Sequence, residues 1–178
     1  MIETKKITAK NMTDKEFFFG HKACAGCGGS LAVRLALKVF GEKTFCALPA
    51  GCMSAVGFIY PQMAFLNNAI ISTFPGTGSM LSGMRAGLDA LGYKDTHVVG
   101  FAGDGGTADI GLQALSGMAE RGEDVLYICY NNQAYMNTGA QRSSATPLGA
   151  ITSTTPQIGK KEFPKRMTEI MIAHHIPY

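Results

Sequence analysis

The sequence predicts an α/β fold: a mostly parallel sheet with helices on both faces. Three observations predict it. Two apolar runs, residues 96–102 (THVVGFA) and 125–130 (VLYICY), read as buried strands alternating with segments of helical pattern. Gly41, Gly92 and Gly122 each stand just past such a helical segment, where the chain must turn back toward a sheet. Between the first of those strands and the next helix lies the turn Gly103-Asp104-Gly105-Gly106, of the kind found at the carboxyl edge of doubly wound sheets.

Taken in order, Ser30 is placed to cap a helix over 31–40, in which only Arg34 and Lys38 break the apolar surface as one narrow wet stripe. Short strands follow at 44–48 and 69–73, then a helix over 79–91. After the strand 96–102 come a helix over 108–121 and the strand 125–130. Residues 131–162 are irregular and rich in Asn, Thr, Ser and Gly, and a loop of that length in a compact domain is expected to be functional. A last helix runs from near Pro164 to near His175, where His174 and His175 are expected to act as cations at the helix end. No repeat or boundary divides the chain, so 1–178 reads as one domain, long enough to bury a core.

Composition narrows the function. The 178 residues carry 16 Lys plus Arg against 13 Asp plus Glu, a net +3 too sparse for neutralising many phosphates, so no nucleic-acid partner is expected. Charged residues are only 16%, against about 25% in ordinary soluble domains, and glycine numbers 22. Residues 44–84 contain no Asp, Glu, Lys, Arg or His. Pro49, Gly51, Pro61, Asn67 and Asn68 interrupt that stretch, which argues against a membrane span and for a buried segment facing a subunit interface or a cofactor. The N-terminal stretch, with Lys5, Lys6, Lys10, Asp14, Lys15 and Glu16, has no apolar signal core, so a cytoplasmic protein is expected, with its five cysteines free for metal or redox chemistry.

Glycines in the turn 103–106 let backbone N–H groups approach a phosphate, but Asp104 would repel one unless a cation stood between them. Asp104 therefore reads as a Mg²⁺ ligand, and Mg²⁺ needs few further protein oxygens. Asn131-Asn132, 28 residues on and at the end of the next strand, falls on the same sheet edge after a right-handed crossover. The plainer alternative is a tight turn followed by an Asx turn.

Gly103-Asp104-Gly105 followed by Asn131-Asn132 resembles the thiamine diphosphate motif of thiamine-dependent enzymes. The stretch DIGLQALSGMAERGEDVLYICYNNQAYMNTGAQRSSATP resembles the β subunit of pyruvate:ferredoxin oxidoreductase (pyruvate synthase), most specifically at Tyr135-Met136-Asn137-Thr138-Gly139. The resemblance runs from about His21 to the end of the chain and implies the thiamine diphosphate-binding fold. It implies that Asp104, the Asn132 side chain and the Ala134 carbonyl hold Mg²⁺. The turn Gly103, Asp104, Gly105 and Gly106 would cradle the cofactor, and the loop 131–162 would wrap it. Asn137 and Thr138 would face the diphosphate and the reacting adduct, with Asn137 in a catalytic role. Asp109 reads as support for the first turn of its helix.

Cys24 and Cys27 precede a helix in glycine-rich backbone, with Cys52 following Pro49-Ala50-Gly51. In the resembled family these three positions look like ligands of a [4Fe–4S] cluster, within the segment 21–52. The family's fourth ligand lies in a C-terminal part that this chain, ending at Tyr178, is expected to lack. Cys129 reads as a buried core residue and Cys46 as a mid-strand residue of either orientation. A zinc site of Cys24, Cys27 and Cys52 with His21 remains an alternative.

The resemblance further implies conversion of pyruvate, coenzyme A and oxidised ferredoxin to acetyl-CoA, CO₂ and reduced ferredoxin, or the reverse. The pattern Asn137-Thr138-Gly139 with Gln141-Arg142-Ser143-Ser144 looks most like the pyruvate branch; another 2-oxoacid, or a zinc-stabilised non-catalytic assembly subunit, are the alternatives. No acidic residue beyond Asp104 and Asp109 suits the carboxylate that thiamine catalysis requires. An α subunit, and further small subunits, are expected to complete the site.

Overall fold

The computed structural model describes residues 6–177; Met1 to Lys5 of the charged N-terminal stretch, and Tyr178, lie outside the described residues. Four parallel strands, β1 (Thr44–Pro49), β2 (Asn68–Ser72), β3 (His97–Gly103) and β4 (Leu126–Tyr130), form one sheet in the order β2-β1-β3-β4. Cys46 lies opposite Val99 across β1 and β3, and Val99 opposite Leu126 across β3 and β4.

The two faces of the sheet bury different partners because side chains alternate along each strand. Cys46, Leu48, Val99, Phe101 and Tyr130 pack with Val33 and Leu37 of α1 (Gly28–Phe40), Met53 of α2 (Cys52–Gly57), and Phe17, Phe18 and Phe65. Ala47 and Val98 face the other way, onto Leu81 and Leu88 of α3 (Thr77–Ala90) and Leu115 and Met118 of α4 (Leu112–Glu120). Met167 and Met171 of α5 (Met167–Ile172) pack against that second core. Each fully buried Leu or Phe contributes about 1.5–3 kcal/mol. Gly78 lets α3 and α4 touch backbone to backbone, since a Cβ there would lie 2.5 Å from the Ala114 carbonyl oxygen.

The α/β fold with helices on both faces is the one the sequence predicts, with local corrections. Cys27, not Ser30, caps α1: its Sγ accepts the Ser30 N–H at 3.5 Å, and the Ser30 hydroxyl donates to the Cys27 carbonyl. Arg34 and Lys38 both pair with Glu16, holding its carboxyl down to about 2, while Leu31, Leu35 and Val39 form the open stripe of α1. The short α2 was not expected, because its run CMSAVG is too brief for a helical period to show. The helix expected over 108–121 is split: a π-helical turn, Gly105–Asp109, precedes α4. The last helix spans only six residues, and His174 docks it on α4, its Nδ1 paired with the Ile170 carbonyl and its Nε2 2.7 Å from Ser116 Oγ.

The sequence predicts a buried β4, but it is an edge strand in which Leu126 and Cys129 are exposed, Tyr127 and Ile128 half-buried and Tyr130 buried. Cys129 is accordingly exposed rather than a core residue. The charge-free stretch is divided: Cys46, Leu48, Met53, Phe65 and Leu81 lie in the cores, while Tyr60, Met63, Leu66, Ile70 and Ile71 are exposed. Among the described residues no helix is long and apolar enough to cross a membrane.

Candidate functional site

Three strands deliver their carboxyl ends to one edge: β1 before Ala50-Gly51-Cys52, β3 before Asp104, and β4 before Asn131-Asn132. From the neighbours β1 and β3 the chain proceeds to opposite sides, to β2 and to β4, which opens a crevice at their ends. A cavity of about 140 Å³ occupies it. Gly103, Gly105, Gly106, Asn132 and Ala134 line this cavity, as do Cys52, Asn137 and Thr138. Asp104 lies just behind the lining, 1% exposed.

The donors that reach the Asp104 carboxylate are neutral. The Asn132 backbone N–H reaches Oδ1 at 3.3 Å, and the Ser143 hydroxyl donates to Oδ2. A buried carboxylate so placed is costly unless a cation completes it. One terminal atom of the Asn132 amide lies 2.8 Å from both Asp104 Oδ1 and the Ala134 carbonyl oxygen. With nitrogen there, the amide donates twice. With oxygen there, three oxygens converge near the ~2.9 Å edge of an octahedron with metal–oxygen bonds of about 2.0–2.1 Å. That second orientation leaves the amide nitrogen 4.0 Å from Cys52 Sγ. The donor set of Asp104, Asn132 and Ala134 therefore fits Mg²⁺.

Local backbone explains why the second asparagine faces the site. Asn131 makes an Asx turn, its Oδ1 accepting the Gln133 N–H at 2.9 Å, and Gln133 adopts φ +66°. The Asx turn of the plainer reading is thus present at Asn131. Left-handed backbone at a glutamine costs roughly 1–3 kcal/mol, a strain the surrounding contacts must offset.

Gly105 is required by close approach: a Cβ there would stand 2.4 Å from Cε1 of Tyr135. The Tyr135 hydroxyl donates to Asp109 Oδ2 at 2.9 Å, the Ser144 N–H to the same oxygen at 3.0 Å, and the Ser144 hydroxyl to Oδ1. Asp109 therefore does not support a first helical turn; it ends the π turn and anchors the loop. Burial acts to raise its pKa, but the donors from Ser144 and Tyr135, with Lys165 beyond, hold it below the ordinary carboxylate range. Asn137 and Thr138 are on the exposed rim; the Thr138 hydroxyl donates to Gln141 Oε1 at 2.5 Å, and the Asn137 N–H points at Cys52 sulfur.

The cysteines divide by face. Cys27 and Cys52 pack against the first core, and Cys52 lies within electrostatic reach of Cys24 and Cys27. Burial raises the Cys52 thiol pKa, opposed by the Asn137 N–H. Cys46 is fully buried, its thiol pushed up to about 12 by burial, and Cys129 shares the opposite face with Tyr127. Among the described residues no three His, Cys, Asp or Glu side chains stand close enough to share one metal ion, as zinc would need. His21 is instead stacked on Phe18, its Nδ1 accepting the Ala23 N–H at 3.3 Å. A four-iron cluster needs four more widely spaced thiolates, and this patch holds three.

Ser143, Ser144, Tyr135 and Lys160 were not anticipated as anchors of the site. The run Ser143-Ser144-Ala145-Thr146 marks a hydroxyl-rich turn, but nothing local marks Lys160 as buried.

Residues 49–177 match the family described as thiamine pyrophosphate enzyme, C-terminal TPP binding domain. The chain is 51% identical over 189 residues to ketoisovalerate oxidoreductase subunit VorB of Pyrococcus horikoshii, covering 99% of this chain and 61% of that relative. It is 51% identical over 164 residues to pyruvate synthase subunit PorB of Methanothermobacter thermautotrophicus, covering 89% of this chain and 57% of that one. Among solved structures, 2-oxoglutarate:ferredoxin oxidoreductase from Magnetococcus marinus, with 2-oxoglutarate, coenzyme A and succinyl-CoA bound, superposes with a TM-score of 0.75 at 21% identity, over 94% of this chain and 58% of that chain. At that identity the likeness concerns the fold. The chain thus spans about three-fifths of the length of these curated relatives.

Proposed function

This chain belongs to the thiamine pyrophosphate enzymes, through their C-terminal TPP-binding domain, and we propose that it is the β subunit of a 2-oxoacid:ferredoxin oxidoreductase. The observation that carries the reading is the convergence of Asp104 Oδ1, the Asn132 amide and the Ala134 carbonyl beside a glycine-lined cavity. Asp104, Asn132 and Ala134 would hold Mg²⁺, and the backbone of Gly105 and Gly106, which lines the cavity, would face the diphosphate that the ion neutralises. Bound there, thiamine diphosphate supplies the carbon nucleophile and electron sink for oxidative decarboxylation of a 2-oxoacid.

The protein's own part is binding, orientation and exclusion of water. Phe74 and Tyr135, edge to face with centroids 5.9 Å apart, form an apolar wall of the cavity. Asn137, on the rim, would orient the reacting end by hydrogen bonding. Cys24, Cys27 and Cys52 would give three thiolates to a [4Fe–4S] cluster whose fourth ligand comes from outside the described residues.

Partner subunits complete the site in this reading. The cavity is smaller than the ~300–1,000 Å³ of ordinary small-molecule sites, and its lining carries no carboxylate to engage the aminopyrimidine. The exposed apolar residues of the charge-free stretch suit such contacts. Ferredoxin and coenzyme A would then be the other reactants, in the cytoplasm.

Pyruvate is the substrate we favour, on the residues 137–144. A branched-chain 2-oxoacid is the second reading, favoured by the identity to a ketoisovalerate oxidoreductase subunit over 99% of this chain. Turnover by the assembled complex on pyruvate and on 2-ketoisovalerate, with ferredoxin reduction as readout, decides between them. Preference for the branched acid overturns the pyruvate assignment, and activity that survives removal of thiamine diphosphate overturns the whole reading.

A further inference from the structure

Behind the cation triad lies a buried charge that the proposed chemistry does not use. Lys160 is 2% exposed, and its Nζ donates to the carbonyl oxygens of Ser144 at 3.0 Å and Thr146 at 2.7 Å. Burial pushes its pKa below the ordinary lysine range, and Arg142 acts in the same direction, with Glu162 and Asp109 opposing. An ammonium held by two neutral carbonyls is an expensive way to fill space.

The turn that Lys160 grips touches both sides of the triad. Ser143, fully buried, donates its hydroxyl to Asp104 Oδ2, the carboxylate oxygen other than the one beside the Asn132 amide. The Ser143 N–H donates to Thr146 Oγ1 at 2.9 Å, and that hydroxyl donates to the Gln133 carbonyl at 2.5 Å, between Asn132 and Ala134. Lys160 is itself tied to the loop, its N–H donating to the Ala150 carbonyl at 3.0 Å and its carbonyl accepting the Gly149 N–H at 2.7 Å.

We propose that Lys160 is a positioning residue for the divalent cation: its ammonium locks the turn 143–146, which sets the Asp104 carboxylate through Ser143 and the Ala134 carbonyl through Thr146 and Gln133. The inference rests on the reading that Asp104, Asn132 and Ala134 hold the metal. A methionine at 160 would fill the same volume yet leave the Thr146 carbonyl without a donor and the Ser144 carbonyl with the Lys165 N–H alone, so the ammonium rather than the stem carries the role.

The test uses the complex with its partner subunits and Mn²⁺ as the probe, followed by electron paramagnetic resonance in the presence of thiamine diphosphate. Lys160→Met raises the half-saturating Mn²⁺ concentration about 10- to 100-fold, the range for groups that orient metal ligands. Ser143→Ala does likewise, and the loss in the double variant falls short of the product of the two single losses, because Lys160 acts in part through Ser143. A purely structural lysine would instead give multiplied losses. Unchanged Mn²⁺ affinity in Lys160→Met, or multiplied losses in the double variant, overturns the proposal. Should Lys160→Met not assemble, Thr146→Val cuts the same path at its other end, and unchanged affinity there overturns it equally. Absence of Mn²⁺ binding in the unaltered complex overturns the metal assignment itself, and this inference with it.

Discussion

Asn132 Nδ2 and Cys52 Sγ stand 4.0 Å apart across 80 positions of sequence. The amide that would close the proposed cation triad thus also reaches Cys52. The contact exists in the orientation that turns the amide oxygen toward Asp104 and Ala134, the orientation a cation favours. A ligand chosen for oxygen alone could equally be aspartate; an asparagine adds a donor for sulfur on its other side.

Replacing the charged ligand is expected to cost most. Asp104→Asn keeps the shape but removes the anion at the buried triad, and breaking a buried charge pair costs about 3–5 kcal/mol. Thiamine diphosphate affinity at fixed Mg²⁺ should fall by two orders of magnitude or more, on the order expected from that energy. Calorimetric titration of the complex checks this, and an unchanged affinity refutes the cation assignment.

Gly105→Ala should displace Tyr135, whose ring lies 2.4 Å from the new Cβ, and with it the bond to Asp109. Overpacking of this kind costs about 1–3 kcal/mol. Denaturant unfolding should report that loss together with weakened cofactor binding. Gly83→Ala on α3, which meets nothing within 4 Å, is the control expected to be neutral or stabilising.

Acid should loosen the cofactor loop through Asp109. Its carboxyl is held below the ordinary range, so its contribution is fully present above the unfolded value of about 4 and is lost as pH falls through the lower folded value. The protection of the Ser144 N–H against hydrogen exchange, relative to its intrinsic rate at the same pH, should fall in that acid window. Asp109→Asn should remove the step; an unchanged profile would place the titration elsewhere.

Thiol chemistry should separate the cysteines. In metal-free protein Cys24, exposed, should alkylate readily, while Cys46, buried with its thiol near 12, should react only on unfolding. In the complex, Cys52→Ser should lower iron content and Cys129→Ser should leave it intact, as iron and sulfide analysis can read directly. Loss of iron in Cys129→Ser would move the cluster to the other face of the sheet.

Periodicity and punctuation are local, so the sequence by itself determined the alternation of strands and helices, the stops at Gly41, Gly92 and Gly122, and the edge on which Asp104 and Asn132 meet. Right-handed crossovers carry that inference from chain order to a shared sheet edge without further information. What depends on contacts between distant segments stayed out of reach. Strand β4 reads as buried from VLYICY, but its place at the edge is a matter of strand order. Helix α1 begins at a cysteine cap because Cys27 Sγ faces the Ser30 N–H, a geometry that a serine-based capping rule does not anticipate. Asp109 serves the loop rather than its own helix because Tyr135 and Ser144 arrive from another part of the chain. Lys160 looks like any solvated lysine until the turn 143–146 folds over it, and only that tertiary enclosure turns a surface residue type into a buried donor behind the site.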